Sequence, residues 1–309
     1  MIETSIIIPV RNQKNSLLMA LDSLKRQIRQ KRLFEIVICD DGSTDGTGDV
    51  VKKLRVPIFF KYIKNDPPVG RAANRNLGFQ KSVGKNLIFI DGDMVPAAGY
   101  IEAILDPGDS QSVRVGSVRL PPNLPASRLE KYLYSRGRSA AKPGADLNGR
   151  FFTSNNFYIG RDNFIKSGGF DISFKGWGGE DIDLGMTFEA LGIPIRNVDK
   201  AVAYHYHQRT IRSIAADFYD FGAGSFAYLI RKQPEFLKQI PARRLGLTKC
   251  VSASDVSLKL LSAIMISRPA LRLAEYLVSS LRSFSWPDFV LDYIFWGNLA
   301  LGYKKRPKE

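Results

Sequence analysis

Asn86-Leu87-Ile88-Phe89-Ile90-Asp91-Gly92-Asp93 is the passage on which the architecture turns. Four apolar residues in a row run straight into two carboxylates separated by a glycine. A short, unbroken apolar run that ends in a turn signal reads as a strand buried on both faces, as in parallel sheets covered by helices. Two runs of the same kind come earlier. Ser5–Val10 contains Pro9, and Phe34–Cys39 leads into Asp40-Asp41-Gly42-Ser43-Thr44-Asp45. Between them, Asn15–Gln27 carries Leu17, Leu18, Leu21 and Leu24 at helical spacing. A helical stretch through Val50, Val51 and Leu54, a strand around Phe59–Tyr62 and a helix from about Gly70 to Ser82 continue the order. Strand and helix alternate, which predicts an α/β fold with a mostly parallel sheet flanked by helices.

C-terminal to the quoted passage the pattern loosens. Residues 107–150, with Pro121-Pro122-Asn123-Leu124-Pro125, read as an irregular loop region. Leu184–Leu191 reads as an apolar helix, and Ala201–Tyr206 as a strand followed by a helical, aromatic-rich tail. The expected organisation is one α/β domain over 1–210, with halves of about 1–95 and about 96–210. A basic, aromatic, helical extension over 211–309 follows.

Open parallel sheets bind ligands beyond the carboxyl ends of their strands, and both acidic clusters fall there. In Asp91-Gly92-Asp93 the glycine lets the backbone turn closely around a ligand, and hard carboxylate oxygens suit Mg²⁺ or Mn²⁺ carrying substrate phosphates. An acidic turn capping a following helix is the competing reading. Asp40 and Asp41 open a tight turn, and the same carboxylates can accept hydrogen bonds from a nucleobase or ribose. Phe174-Lys175-Gly176-Trp177-Gly178-Gly179-Glu180-Asp181-Ile182-Asp183 packs acids and aromatics around glycines before the apolar helix. Trp177 offers a flat face for a sugar ring, Gly178 and Gly179 allow close approach, and a carboxylate here suits a general base. The acids also favour the positive end of the helix that follows. His205 and His207 lie two apart after an apolar run, so an alternating strand points both to one side, where either is a metal ligand or a structural group.

Charge narrows the partners. The 309 residues have a net charge of +15, and residues 231–309 hold 14 Lys and Arg against 6 Asp and Glu, a balance of +8. Such a surface attracts nucleic acid, anionic lipid headgroups or phosphorylated substrates. No helix-turn-helix spacing, zinc pattern or aromatic-basic RNA signature accompanies it, and acidic strand ends repel phosphate, so nucleic acid is not an expected partner. Cys39 and Cys250 make neither a disulfide framework nor a metal-ligand spacing. No secretory leader is legible, and no window reaches the roughly 18 apolar residues of a spanning helix. The expected location is the cytoplasm, with peripheral contact at the inner face of the cell membrane.

Five segments in this order resemble the family-2 glycosyltransferases of the GT-A fold: Ser5–Asn12, Val37–Asp45, Gly70–Gly78, Phe89–Asp93 and Gly176–Asp181. The resemblance implies that 1–210 is a catalytic domain, with a nucleotide-binding half of about 1–95, an acceptor half of about 96–210, and a nucleotide pocket built by Pro9, Arg11, Asp41 and Arg71. Asp91 and Asp93 would form the D-x-D pair that binds the donor's diphosphate through Mn²⁺ or Mg²⁺, with His205 or His207 completing the coordination. The Gly-Trp-Gly-Gly-Glu-Asp segment is similar to that of β-1,4-galactosyltransferases and chondroitin-type polymerases. That similarity implies Asp181 as base, Glu180 as a sugar contact, and inverting transfer from a nucleotide sugar, with UDP-sugars preferred. Retaining N-acetylgalactosaminyltransferases carry a related Trp-Gly-Gly-Glu segment; the Asp that follows here favours inversion. The Gln-x-x-Arg-Trp signature of processive synthases is missing, since Gln208-Arg209-Thr210-Ile211-Arg212 has no tryptophan, which favours transfer of a single sugar to a glycan or lipid-linked acceptor. A non-catalytic carbohydrate- or nucleotide-sugar-binding module is the rival class.

The tail places Leu260, Leu261, Ile264, Leu271, Leu277, Val278 and Leu281 among Lys259, Arg268, Arg272 and Arg282. Such a segment lies in a membrane interface or packs as a helix with solvated charges; the sequence leaves both open.

Overall fold

The computed structural model describes residues 1–30, 33–54, 58–106, 111–135, 142, 144–206, 209–247, 262–281 and 284–306. The described residues of Met1–Pro125, Tyr134–Ile172 and Glu180–His207 form one compact unit. Those of Ala126–Leu133, Ser173–Gly179 and Gln208–Glu309 form the other.

The strands of the first unit are β1 (Thr4–Val10), β2 (Phe34–Asp40), β3 (Phe59–Lys64), β4 (Asn86–Ile90), β5 (Met94–Pro96), β6 (Val113–Arg119), β7 (Asn156–Gly160) and β8 (Ile195–His205). They make one sheet in the order β3-β2-β1-β4-β7-β6-β8-β5. β3, β2, β1 and β4 run parallel, β7 is antiparallel to both β4 and β6, β6 and β8 are parallel, and β5 closes the edge antiparallel to β8. Because side chains alternate across a strand, each apolar run feeds two cores. Ile6, Ile8, Ile36, Ile38, Ile88 and Ile90 pack with Leu17, Leu21 and Leu24 of α1 (Lys14–Gln27). Ile7, Leu87, Phe89, Val113, Val115 and Phe157 pack on the other face with helix residues Ala72, Phe164, Leu184 and Phe188. Full burial of each such side chain contributes roughly 1.5–3 kcal/mol before the entropy of ordering is counted.

The stretch expected to be irregular holds a central strand, β6. Its Val113, Val115 and Val118 are buried, but between them Arg114 is buried as well, with its guanidinium 3.7 Å from the Tyr158 ring centre. A buried arginine breaks the apolar signature by which the other strands were read.

Helix α2 (Thr47–Lys53) follows β2, α3 (Arg71–Lys81) precedes β4, α4 (Tyr100–Ile104) follows β5, and α5 (Arg128–Tyr134) follows β6. α6 (Arg161–Ser167) and α7 (Glu180–Ala190) cover the sheet. In the second unit, α8 (Ile211–Ala223), α10 (Arg268–Ser280) and α11 (Asp288–Lys305) surround an aromatic core containing Tyr132, Phe218 and Phe295, and α9 (Phe226–Lys232) follows α8. Thr210 caps α8: its Oγ1 accepts from the Ser213 N–H at 3.0 Å, and the Ser213 Oγ accepts from the Thr210 N–H at 3.0 Å. Of the predicted tail, Lys259, Leu260 and Leu261 lie outside the described residues, as do Cys250 and Arg282. Among the described residues no helix is long and apolar enough to cross a membrane.

Candidate active site

The carboxyl ends of β1 and β2 are stitched together before any functional group is considered. The Asp41 N–H donates to the Val10 carbonyl at 2.9 Å. Asn12, at φ +54°, donates its N–H to Ser43 Oγ and accepts from the Thr44 N–H through its side chain, both at 2.8 Å. Asp40 is fully buried and accepts from the Ser43 N–H at 2.7 Å and the Tyr62 hydroxyl at 2.6 Å. Burial, then the Asp40 carboxylate, pushes the Tyr62 phenol well above its ordinary range. Asp41 accepts from the N–H groups of Val69 at 2.7 Å and Gly70 at 3.1 Å. It thereby folds residues 65–70 back over the strand end and positions the start of α3. Pro9 is buried in β1, while Arg11 and Arg71 are exposed.

The Asp91-Gly92-Asp93 turn is held against this frame. The Asp91 N–H donates to the Asn155 carbonyl at 3.1 Å, and the Gly92 N–H to the Pro9 carbonyl at 3.2 Å. A Cβ on Gly92 would sit 2.6 Å from Val10 Cγ1 and 2.8 Å from Gln13 Oε1, so only glycine permits this approach. The next element is the strand β5, which overturns the reading of the turn as a helix cap.

Arg75 of α3 joins the two acidic segments. Its side chain is 7% exposed. Nη2 donates to Asp91 Oδ1 at 2.9 Å and Oδ2 at 3.3 Å, and Nη1 lies 3.8 Å from Glu180 Oε1. Its Nε makes no hydrogen bond. The field of Asp91, Asp181 and Glu180 holds the guanidinium charged against the cost of burial. The sequence alone gives no role to Arg75, which lies within the Gly70–Gly78 segment. Its signal is the spacing Ala72, Arg75, Gly78 along the buried face of α3.

Glu180 and Asp181 open α7, where the positive end of the helix favours carboxylates, so the expected helix-end preference and the placement of a site coincide. Asp181 Oδ2 accepts from the Ser154 N–H at 3.0 Å, whereas Oδ1 is buried with no hydrogen-bond partner. Burial, then Asp181, pushes Glu180 up to about 7, against the opposing pull of Arg75. Asp91 is likewise raised, by burial first and by Asp93 and Asp181, with Arg75 opposing.

His205 ends β8, paired with Met94 of β5. Its Nε2 lies 3.4 Å from Asp93 Oδ2, and its Nδ1 lies 2.9 Å from the Tyr134 hydroxyl. An imidazole braced at one nitrogen and facing a carboxylate with the other could contribute two ligands to a divalent cation. His207 lies outside the described residues. Among those described, no group of three or more His, Cys, Asp or Glu is placed to hold a metal.

Asp91, Asp93, Glu180, Asp181 and His205 thus belong with Arg75 to the first unit. Trp177, Gly178 and Gly179 belong to the second, where the half-buried Trp177 packs at 5.9 Å from Phe218 and 6.3 Å from Phe221, ring centre to ring centre. The Ser225 hydroxyl donates to the Gly178 carbonyl at 2.6 Å.

Comparison with known proteins identifies the family and the fold. Residues 5–170 match the model of glycosyl transferase family 2, and residues 135–210 match the N-terminal domain of galactosyltransferase. Validoxylamine A glucosyltransferase of Streptomyces hygroscopicus subsp. limoneus is 29% identical over 220 residues, covering 62% of this chain and 49% of that protein. Chondroitin synthase of Pasteurella multocida is 26% identical over 235 residues, covering 65% of this chain and 24% of that protein. The chain therefore spans half or less of the length of these relatives. A mannosyltransferase from Pyrobaculum calidifontis, solved with GDP-Man and Mn²⁺, superposes with a TM-score of 0.65 at 16% identity, over 98% of this chain and 88% of that one. Staphylococcus aureus TarS 1–349 with UDP-GlcNAc gives 0.54 at 17%, over 98% and 92%. At these identities the likeness is one of fold, and it is the GT-A fold expected from the sequence. With more than half of its length matched by the family model, and the acidic strand ends where that fold binds its ligands, the chain belongs to glycosyl transferase family 2.

Proposed function

We propose that the chain transfers a single sugar from a nucleotide-sugar donor, UDP-sugars preferred, to a hydroxyl of a glycan or lipid-linked acceptor, with inversion at the anomeric carbon. The observation that carries this reading is the state of Asp181. One carboxylate oxygen is fixed by the Ser154 N–H while the other, buried and without a hydrogen-bond partner, is available to accept a proton. A binding module has no need of an acid left so unsatisfied.

In this mechanism Asp181 takes the proton of the acceptor hydroxyl as its oxygen attacks the anomeric carbon. The bond from that carbon to the diphosphate oxygen breaks, and the electron pair leaves with the nucleoside diphosphate. Glu180, raised by burial, contacts a sugar hydroxyl, and Arg75 holds the acids in register. Pro9, Arg11, Asp41 and Arg71 bound the nucleotide end. Asp93 and His205 would hold the Mn²⁺ or Mg²⁺ ion, with Asp91, engaged by Arg75, as the other carboxylate of the D-x-D pair. The ion, when bound, supplies positive charge against the departing diphosphate oxygens. Trp177, Gly178 and Gly179 are assigned to the acceptor sugar on the strength of the family segment. The kinship with a glucosyltransferase and with chondroitin synthase supports hexose or N-acetylhexosamine transfer.

Nucleoside-diphosphate release from a panel of UDP-, GDP- and dTDP-sugars with Mn²⁺, with and without chelator, tests the reading. One donor should turn over slowly without acceptor, and chelator and Asp181→Asn should each abolish that turnover. Metal-dependent nucleotide binding with no transfer to any glycan or lipid-linked acceptor would instead make the chain a binding module.

A further inference from the structure

Helix α10 carries two apolar faces. Leu271, Ala274 and Val278 lie on the face packed into the core of the second unit, with Leu271 and Val278 buried. Leu273, Tyr276 and Leu277 recur at three- and four-residue spacing about a third of the way around the helix, continued by Leu281 at its end. These four are 59%, 64%, 37% and 49% exposed. The flanks are exposed too: Ile264 and Met265 before the helix, Phe284 and Phe289 after it. Eight of the fifteen exposed large hydrophobic side chains among the described residues thus fall within residues 264–289. Scattered exposure needs no explanation; concentration along one helix does.

The charges around this face are sorted. The acids of α10 and α11 are drawn to partners within the unit. Glu275 accepts from Asn298 at 3.0 Å, Asp292 accepts from the Tyr132 hydroxyl at 2.7 Å, and Asp288 pairs with Arg128. The bases are exposed: Arg272 on α10, Lys305 at the end of α11, and Arg268, whose guanidinium also lies over the Tyr219 ring at 5.7 Å. An apolar stripe edged by arginines, on a segment with a balance of +8, complements a surface that is apolar inside and negative at its rim.

We propose that this outer face of α10 and its flanks docks on an anionic lipid surface. The leucines and aromatics enter the boundary between headgroups and acyl chains, while Arg268 and Arg272 meet the lipid phosphates. A second copy of the chain fits less well, because a two-fold contact would bring the same arginine-edged face against itself. The contact lies in the plane of the interface and asks for no spanning helix.

The test is sedimentation of the full chain with phosphatidylglycerol vesicles and with phosphatidylcholine vesicles, at low and at high salt. It compares the wild type with a Leu273→Ser/Tyr276→Ser/Leu281→Ser variant and with Arg272→Glu. All four positions are exposed, and far-UV circular dichroism with thermal melting checks that the variants fold. Expected are binding to phosphatidylglycerol that salt weakens, little binding to phosphatidylcholine, at least a ten-fold loss in the triple variant and a smaller loss in Arg272→Glu. No binding to phosphatidylglycerol at low salt, or binding unchanged by the triple variant, overturns the proposal. So does a wild-type dimer in light scattering that the triple variant dissolves. Vesicle binding needs no sugar donor, so its failure is read separately from failure of the transfer reaction.

Discussion

Arg75 Nη2 stands 2.9 Å from Asp91 Oδ1, and the same guanidinium faces Glu180 at 3.8 Å, so one buried cation holds two acids that are 89 positions apart in the chain. Removing it leaves the buried Glu180 and the half-buried Asp91 without compensation. Arg75→Met should therefore lower stability by about 3–5 kcal/mol at neutral pH, and by less at pH 5, where the raised carboxyls take up protons. Arg75→Lys, which keeps the charge but not the fork, should fall between. Denaturant midpoints at the two pH values check this. Equal losses at both would mean that the ion pairs are not what the arginine supplies.

Asp181→Asn tests the base directly. The amide oxygen can still accept from the Ser154 N–H, so the fold and donor affinity should hold while the proton acceptor is lost. A fall in kcat of about 10²–10⁴ with KM for the donor within a few-fold is expected from steady-state kinetics. Retention of more than a tenth of kcat would remove Asp181 from the role.

How far the sequence could carry these conclusions depends on where each signal resides. β1, β2 and β4 were legible because burial on both faces writes an unbroken apolar run. β6 was not, because the Arg114–Tyr158 stacking that buries a charge in it is tertiary. Asp91, Asp93, Glu180 and Asp181 were legible because glycines and strand or helix ends mark them locally. Arg75 was not, since a single arginine in a helix announces nothing until Asp91 and Glu180 are folded onto it. Trp177, adjacent to Glu180 in sequence, falls in the other compact unit, a division that the local sequence does not mark.

Glu180 should give the protein a pH-dependent stability of definite sign. Its folded value is raised from 4.5 to about 7, so its contribution is fully present below pH 4.5 and is lost as pH climbs through 7. At 1.36 kcal/mol per unit the loss amounts to roughly 3 kcal/mol. Glu180→Gln does not titrate. Its melting temperature relative to the wild type should therefore rise by several degrees between pH 5 and pH 8 in the substrate-free protein. A difference that stays flat across this range would contradict the burial of an ionisable Glu180.

Cys39 lies in β2 with no exposed surface, and burial pushes its thiol up to about 12. Thiolate, not thiol, is the nucleophile. Iodoacetamide at pH 8 should leave the Cys39 peptide unmodified for hours in the native protein and modify it fully in guanidinium, as read by mass spectrometry. Native-state alkylation at the rate of a free thiol would show that the strand opens readily.

The pairing of Asp93 with His205 yields a prediction about metal that does not depend on turnover. In the proposed site Nδ1 lies beside the Tyr134 hydroxyl, while Nε2, 3.4 Å from Asp93 Oδ2, and the Asp93 carboxylate would be the two protein ligands. Two protein ligands bind a divalent ion weakly alone and much better once a diphosphate adds its oxygens. Mn²⁺ titrated by calorimetry into the protein should therefore bind at least ten-fold more tightly with nucleoside diphosphate present. Asp93→Ala and His205→Ala should each erase most of that gain, and Tyr134→Phe should reduce it less, because it loosens the ring without removing a ligand. Mn²⁺ binding that ignores the nucleotide, or that survives loss of both Asp93 and His205, would place the metal elsewhere.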